Sequence, residues 1–301
     1  MDNNGKYDAQ TGISAIIVNY NAGGRLESLV SSLISIKHVS RVVVVDNAST
    51  DLSLEKLETN YRNNARFVLI RNKVNRGFSA ANNQGIALAQ SDRILFINPD
   101  CEINVSALDR FSELFNARPD VGMLGVLIRN MDGSEQRGCR RYLPDPRRSL
   151  MRVLGINRHW FTGQITGFDL AGTPLPDRPV EVEAISGAFM LIRRDALLQV
   201  GLWDEGYFLH CEDLDICMRL GRAGWKILFV PDVSITHHQG WSGRGRPLFV
   251  LWHKHRGMWR FYSKFYRKDA SWFVTILIWG SIWTRFSLLT AFVLLRRPFE
   301  R

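Results

Sequence analysis

The chain is short of cysteine: four residues in 301, none spaced to pair with another around a metal or in a disulfide framework. A disulfide-stapled secreted scaffold is thereby excluded, and a reducing compartment is favoured. No glycine-rich loop closes on Gly-Lys-Ser/Thr, and no Gly-x-Gly-x-x-Gly follows a strand, so the Walker loop and the dinucleotide fingerprint are both missing. The opening residues, Met1 to Lys6, are polar and lack the apolar stretch of a signal peptide, which sets the expectation of a cytoplasmic location. Acidic residues are scarce as well. The 29 Asp and Glu against 39 Lys and Arg leave a net charge of +10.

What is present is unevenly spread. Basic residues crowd the middle (Arg137, Arg140, Arg141, Arg147, Arg148, Arg152) and the last fifth, from Arg244 to Lys268 and at Arg296 and Arg297. Such clusters suit a polyanion: nucleic acid, a phosphorylated substrate or an anionic membrane. Eight of the nine tryptophans lie beyond residue 200, which favours the membrane. No nucleic-acid-binding motif accompanies the charge, and no nucleic-acid partner is expected. Aromatic and basic residues interleave over 249–268, and 272–295 is long and apolar enough to cross a bilayer. Its one charge, Arg285, is costly at the centre of a span. A surface-lying helix pair, broken near Gly280 or Arg285, therefore fits as well as a true span.

Buried-strand patterns at 13–19, 41–45, 65–71 and 93–97 alternate with helical patterns at 25–36, 53–63, 79–89 and 107–116. This alternation predicts an α/β fold with a Rossmann-like, mixed but mostly parallel sheet flanked by helices. Ligands in such sheets sit at the carboxyl ends of strands. Further on, 121–129 reads as a strand, 137–146 as a basic loop and 155–180 as a long mobile segment. Regular structure resumes at 182–192, with helices at 195–200 and from about Asp213, and a strand at 227–233.

Five places carry candidate chemistry. Asp46 ends a strand and opens the run Asp46 to Asp51. Its carboxylate can accept from a pyrimidine imide or a ribose hydroxyl, or, with Ser49, cap the next helix. Asn75 to Gly85 puts small residues at a helix start, where a diphosphate can approach the free N–H groups; an ordinary capped helix is the alternative. Asn98-Pro99-Asp100 leaves a buried strand with a carboxylate suited to Mg²⁺ or Mn²⁺, or forms a plain solvated turn. Glu212-Asp213-Leu214-Asp215 opens a helix after an aromatic turn, where one carboxylate can act as a general base rather than only a cap. His237 and His238 follow a strand and offer imidazole nitrogen to a metal. Together these residues suit a metal, a diphosphate and a general base.

In order and spacing, the segments Val18 to Asn21, Val45 to Asp51, Asn75 to Gly85, Phe96 to Asp100, Ser186 to Arg193, Gly201 to Glu205, Tyr207-Phe208, Glu212 to Asp215 and His237 to Gly240 closely resemble the inverting family-2 glycosyltransferases of the GT-A fold. The resemblance is to the rhamnosyltransferase-type branch of bacterial O-antigen, lipopolysaccharide and cell-wall glycan synthesis, and it covers residues 12–243. It implies that Asn19, Asp46, Asn47, Ser49 and Asp51 serve the nucleotide, and that Gly77, Asn82 and Asn83 serve the nucleotide-sugar. Asn98 and Asp100 would face the diphosphate and metal, with Asn98 standing where the family has the first Asp of Asp-x-Asp. Asp213, beside Glu212, matches the catalytic base; His237 matches the late metal-contacting histidine, unless a one-residue shift gives that role to His238. Gly187, Ala188 and Trp203 match the acceptor-side wall.

The implied organisation is a catalytic domain over 1–245 and a membrane-associating helical region over 246–301. The implied reaction, assisted by Mg²⁺ or Mn²⁺, moves a sugar from a dTDP- or UDP-sugar to a hydroxyl of a polyprenyl-diphosphate-linked glycan at the cytoplasmic face of the membrane. L-rhamnose from dTDP-L-rhamnose leads the donors. Galactosyl, galactofuranosyl and N-acetylhexosaminyl transfer are the alternatives within the fold, and a membrane-tethered nucleotide-sugar-binding scaffold is the non-enzymatic one.

Overall fold

Runs of β-branched and apolar residues form four neighbouring strands: β1 (Ile13–Asn19), β2 (Val39–Asp46), β3 (Phe67–Arg71) and β4 (Arg93–Ile97). The computed structural model describes residues 12–103, 107–146, 168–238 and 246–296. The four strands pair in parallel in the order β3-β2-β1-β4, with crossovers carried by α1 (Arg25–Ser35), α2 (Glu55–Tyr61) and α3 (Phe78–Ile86). Helix α1 buries Leu26, Leu29, Val30 and Leu33, one stripe at helical spacing. Along β1 the side chains alternate: Ile13, Ala15 and Ile17 join the core under α1, and Ile16 joins the opposite one with Phe96. The helix expected over 53–63 begins later. A 3₁₀ turn, Leu52–Leu54, precedes α2 because the Asp51 side chain accepts from the Ser53 N–H and closes the first turn early.

The second half adds β5 (Cys101–Ile103), α4 (Ala107–Ala117), β6 (Val121–Arg129), β7 (Arg140–Arg141), β8 (Val180–Glu181), β9 (Ala184–Ile185), β10 (Phe189–Arg193), α5 (Arg194–Val200), α6 (Glu212–Arg222) and β11 (Lys226–His237). The sheet continues β4-β10-β6-β11-β5, nine strands in all with β8 on the flank of β11. Strand β10 runs antiparallel to both its neighbours, so the sheet is mixed as well as Rossmann-like. The single strand expected over 182–192 is instead split by the turn Ser186-Gly187-Ala188, which faces the cavity described below.

Two departures shape the site. Strand β11 runs four residues beyond the expected end, and its register against β6 slips between Val230 and Ser234. The bulge lets its last residues pair with β5, setting His237 opposite Cys101. The basic loop expected over 137–146 contains β7, paired with β9, and two of its arginines are spent internally. Buried Arg140 grips Glu135 with two hydrogen bonds of 2.8 and 3.0 Å, and Arg141 pairs with Asp213. Of the long segment expected at 155–180, residues up to 167 lie outside the described residues, as do Gly240 and Ser242.

Two helices end the chain, α7 (Pro247–Phe265) and α8 (Trp272–Arg296). Helix α8 is continuous, with no break at Gly280 or Arg285. It returns antiparallel along α7: Tyr262 meets Thr275 at 3.0 Å, and Trp252 packs on Trp283 and Phe286. Arg285 donates to Nε2 of His255, whose Nδ1 bonds the Leu251 carbonyl; burial holds that imidazole neutral by lowering its pKa. Helix α7 is pinned to the body by Lys264 on buried Asp215 and by Arg260 and Lys264 on Asp204.

Candidate active site

One cavity of about 930 Å³ opens where β1, β2 and β4 end, at the upper end of the size range typical of small-molecule sites. Val18, Tyr20 and Asn47 line one part of it, and Asn98, Asp100 and His237 another. The turn before α6 supplies Phe208, Leu209 and His210, the start of α6 supplies Glu212 and Asp213, and α7 closes over the cavity with Phe249, Val250 and Lys254. Gly187 and Ala188 complete the wall.

Asp100 and His237 form the best-defined pair. Oδ1 of Asp100 lies 3.1 Å from Nε2 of His237, and both side chains are buried. Gln136 decides the histidine's tautomer. Its Nε2 donates to Asn130 Oδ1 at 3.1 Å and to the His237 carbonyl at 3.2 Å, so its Oε1 is the atom left facing His237 Nδ1 at 2.6 Å. Nδ1 therefore carries a hydrogen, and in the neutral ring Nε2 presents its lone pair towards Asp100. Two electron-pair donors at that distance need a cation or a proton between them. The donor set, carboxylate plus imidazole with room for phosphate oxygens, fits a hard divalent ion.

Cys101 lies within 4.8 Å of both groups, but it is a poor third ligand. Burial and the Asp100 charge raise its pKa well above the ordinary thiol value, and its Sγ bonds the Ala188 carbonyl. The Asn98 Nδ2 sits 3.3 Å from His237 Nε2. His238 points the other way, bonding Glu102 at 2.7 Å, as side-chain alternation along a strand requires.

The three carboxylates at the start of α6 have separate surroundings. Asp215 faces Arg219 and Lys264 at 2.6 Å each and anchors α7. Asp213 faces the cavity, held by Arg141, by the Leu214 N–H at 2.8 Å and by the Gly187 N–H at 3.4 Å. A Cβ on Gly187 would stand 3.3 Å from that of Asp213, so glycine is what allows this approach. Glu212 is buried; desolvation, with the Asp213 charge second, pushes it to about 8. At neutral pH it is largely the uncharged acid, beside the Asp213–Arg141 ion pair. His210 and Cys211 both have φ near +70°, an uncommon conformation for residues other than glycine, which turns the chain sharply into α6.

Several expected site residues lie outside the cavity wall. The Asp46 carboxylate is buried and already engaged by Asn19 Nδ2 at 2.8 Å and the Ser49 N–H at 3.1 Å. Asn19 also bonds Ser49 and Ser53, and Asp51 holds the Gly23 N–H and Ser53. These residues brace the loops beneath Tyr20 and Asn47 instead of lining the wall. Asn82 is buried in α3, bonded to the Phe78 carbonyl. Asn83 exchanges hydrogen bonds with the Trp203 backbone and reaches Glu205. Trp203, expected on the acceptor wall, is 2% exposed and packs edge-on against Phe78 and Phe96 in the core. Gly77 does line the cavity; its φ is +85°, and a Cβ there would strike Phe208 at 2.8 Å.

The sequence reading missed Gln136, the Arg141–Asp213 pair and the α7 wall. None is adjacent in sequence to the group it serves, so no local pattern marks them.

The family model for glycosyl transferase family 2 matches residues 14–172, more than half of the chain. The chain belongs to glycosyl transferase family 2. A second model, glycosyl transferase family group 2, matches 151–299. Among this family's members the chain is similar to the rhamnosyltransferase branch. It is 29% identical over 294 residues to an N-acetylglucosaminyl-diphospho-decaprenol L-rhamnosyltransferase of Mycobacterium tuberculosis, covering 92% of each chain. It is 26% identical over 235 residues to rhamnosyltransferase WbbL of Escherichia coli, covering 74% of this chain and 82% of that one. In fold it is similar to GalNAc-T7, solved with UDP, GalNAc and Mn²⁺, with TM-score 0.59 at 19% identity over 86% of this chain and 48% of that one. It is likewise similar to a Pyrobaculum calidifontis mannosyltransferase solved with GDP-Man and Mn²⁺, with TM-score 0.56 at 16% identity over 85% of this chain and 64% of that one. This chain thus spans about half of the first structure and under two thirds of the second. The GT-A fold expected from the motifs is the fold of this family-2 glycosyltransferase.

Proposed function

We propose that this family-2 glycosyltransferase transfers L-rhamnose, from dTDP-L-rhamnose, with inversion to a hydroxyl of a polyprenyl-diphosphate-linked glycan. The observation that carries the reading is that Asp213 and the Asp100–His237 pair line one cavity. The similarity to a relative named for rhamnosyl transfer to N-acetylglucosaminyl-diphospho-decaprenol supports both donor and acceptor class. Residues 1–245 would carry the catalysis, and 246–301 would hold it at the cytoplasmic face of the membrane.

In this mechanism the nucleotide lies along Val18, Tyr20 and Asn47, with the Asp46 and Asn19 network bracing that wall from behind. Asp100 and His237 would hold Mg²⁺ or Mn²⁺, which when bound draws negative charge from the departing diphosphate. Asp213 accepts the proton of the acceptor hydroxyl while that oxygen bonds the anomeric carbon. The bond from the same carbon to the diphosphate breaks, and the nucleoside diphosphate leaves. Arg141 and the Gly187 N–H, both on Oδ2, hold the Asp213 carboxylate in place at the cavity wall.

The test is transfer by purified protein in detergent from dTDP-rhamnose, UDP-galactose, UDP-galactofuranose and UDP-GlcNAc to a polyprenyl-diphosphate-GlcNAc acceptor. The anomeric configuration of the product is read by NMR. Rhamnosyl transfer with inversion, abolished by chelation, supports the reading. Transfer from a different donor replaces the rhamnosyl assignment. Nucleotide binding with no transfer from any donor favours the scaffold.

A further inference from the structure

Several cations in and near the cavity already have counter-charges. Arg137 pairs with Asp169 and Arg141 with Asp213; beyond the rim, Arg260 and Lys264 pair with Asp204 and Asp215. Arg246 and Lys254 differ. Both are exposed, both line the cavity, and among the described residues neither pairs with a carboxylate. They flank Phe249 and Val250 on the cavity side of α7, with about 12 Å of helix between their backbones, within the combined reach of two long side chains. Lys254 also lies close to the turn before Asp213: after burial, its charge is the main cause holding the His210 imidazole down at about 4.

The far side of α7 carries α8. Trp252 packs on Trp283 at 5.4 Å, and Trp272, Phe273, Ile276 and Trp279 of α8 are exposed. One helix thus presents free positive charge to the cavity and an apolar neighbour to the outside. A lipid diphosphate has the same two parts, an anionic linkage and a hydrocarbon tail. A transferase using such an acceptor brings two diphosphates into one cavity, and each needs its own counter-charge to offset their repulsion. The Asp100–His237 pair can supply only one, through a divalent ion.

We propose that Arg246 and Lys254 form a second anion site, which binds the diphosphate of the lipid-linked acceptor. The proposal rests on the transferase reading above for the identity of the acceptor. The site orients the acceptor sugar towards Asp213 while the tail follows α8 outwards.

The experiment is equilibrium binding by calorimetry of two compounds, a short-chain prenyl-diphosphate-GlcNAc and a neutral alkyl glycoside of GlcNAc. Three proteins are compared: the full chain, its Arg246→Ala/Lys254→Ala variant, and Arg256→Ala, an exposed change on the same helix outside the cavity wall. The expected result is binding of the diphosphate weakened at least about tenfold in the double variant only, as charge-assisted hydrogen bonds warrant. The affinities for the neutral glycoside and for UDP with Mn²⁺ are expected to stay put. Unchanged diphosphate binding overturns the site. So does equal weakening in Arg256→Ala, which would mean diffuse surface charge, or a loss confined to UDP, which would give these cations to the donor. Binding needs no turnover, so a protein that binds the lipid diphosphate through these residues yet transfers nothing keeps this site and loses the transferase reading.

Discussion

Oε1 of Gln136 accepts from Nδ1 of His237 at 2.6 Å, and this bond fixes the ring with Nε2 facing Asp100 at 3.1 Å. Gln136 lies on the loop after β6 and His237 at the end of β11, so the pair forms only through the parallel association of those strands. A residue that orients a metal-facing histidine typically changes metal affinity about 10–100-fold when removed. Gln136→Ala is therefore expected to weaken Mn²⁺-dependent UDP binding by that order, with Gln136→Glu, which keeps the acceptor, recovering part of it. Calorimetry with and without Mn²⁺ checks this; equal affinities in wild type and Gln136→Ala would remove Gln136 from the metal site.

Asp213→Asn keeps the shape of the cavity and removes the proton acceptor. Turnover is expected to fall by about 10²–10⁴-fold, the usual worth of a general base, with nucleotide binding retained. Initial rates at saturating donor measure it. A variant that turns over at the wild-type rate rules Asp213 out as the base.

Arg141 touches Asp213 and the Ile185 carbonyl, so its charge and its hydrogen bonds can be separated by substitution. Arg141→Met is expected to lose most activity and to lower the melting temperature, because it leaves the Asp213 charge largely buried without its partner. Arg141→Lys restores the charge without the planar fork and is expected to recover stability more than rate. Thermal melts alongside rates would reveal the opposite ordering if the pair were only structural.

Glu212 gives stability a pH signature. Its folded pKa is raised to about 8 from an ordinary 4.5, by burial first and the Asp213 charge second. A carboxyl shifted upward contributes stability that is complete below the unfolded value and disappears as pH rises through the folded one. Relative to Glu212→Gln, the wild-type melting temperature is expected to decline from about pH 4.5 to about pH 8 and then level off. Parallel curves for the two proteins would contradict it.

The exposed face of α8 is expected to hold the protein on anionic vesicles. Phe273→Asp with Ile276→Asp, both at exposed positions, should abolish co-sedimentation and leave the melting temperature nearly unchanged. Undiminished co-sedimentation would move the membrane contact off this face.

Much of this was legible in the chain itself. Strands β1, β4 and β6 fall where mostly apolar runs place them, since a strand buried on both faces is apolar along most of its length. Asp100 and Asp213 were marked by their positions at a strand end and a helix start, and the motif order gave the family. These are local properties, fixed by the dihedral periods of strands and helices. Which carboxylate lines the cavity was a different matter. Asp46 and Asp213 look alike as sequence, yet one is buried behind the wall against Asn19 and Ser49 while the other lines the cavity. The same holds for His237 against His238, for Trp203 buried behind Phe96, and for Arg141 withdrawn from a basic cluster to hold Asp213. Only the tertiary structure decided these, because a side chain's charge, tautomer and exposure depend on neighbours that strand pairing brings from more than a hundred residues away, such as Gln136 to His237 at a separation of 101 and Asn98 to His237 at 139.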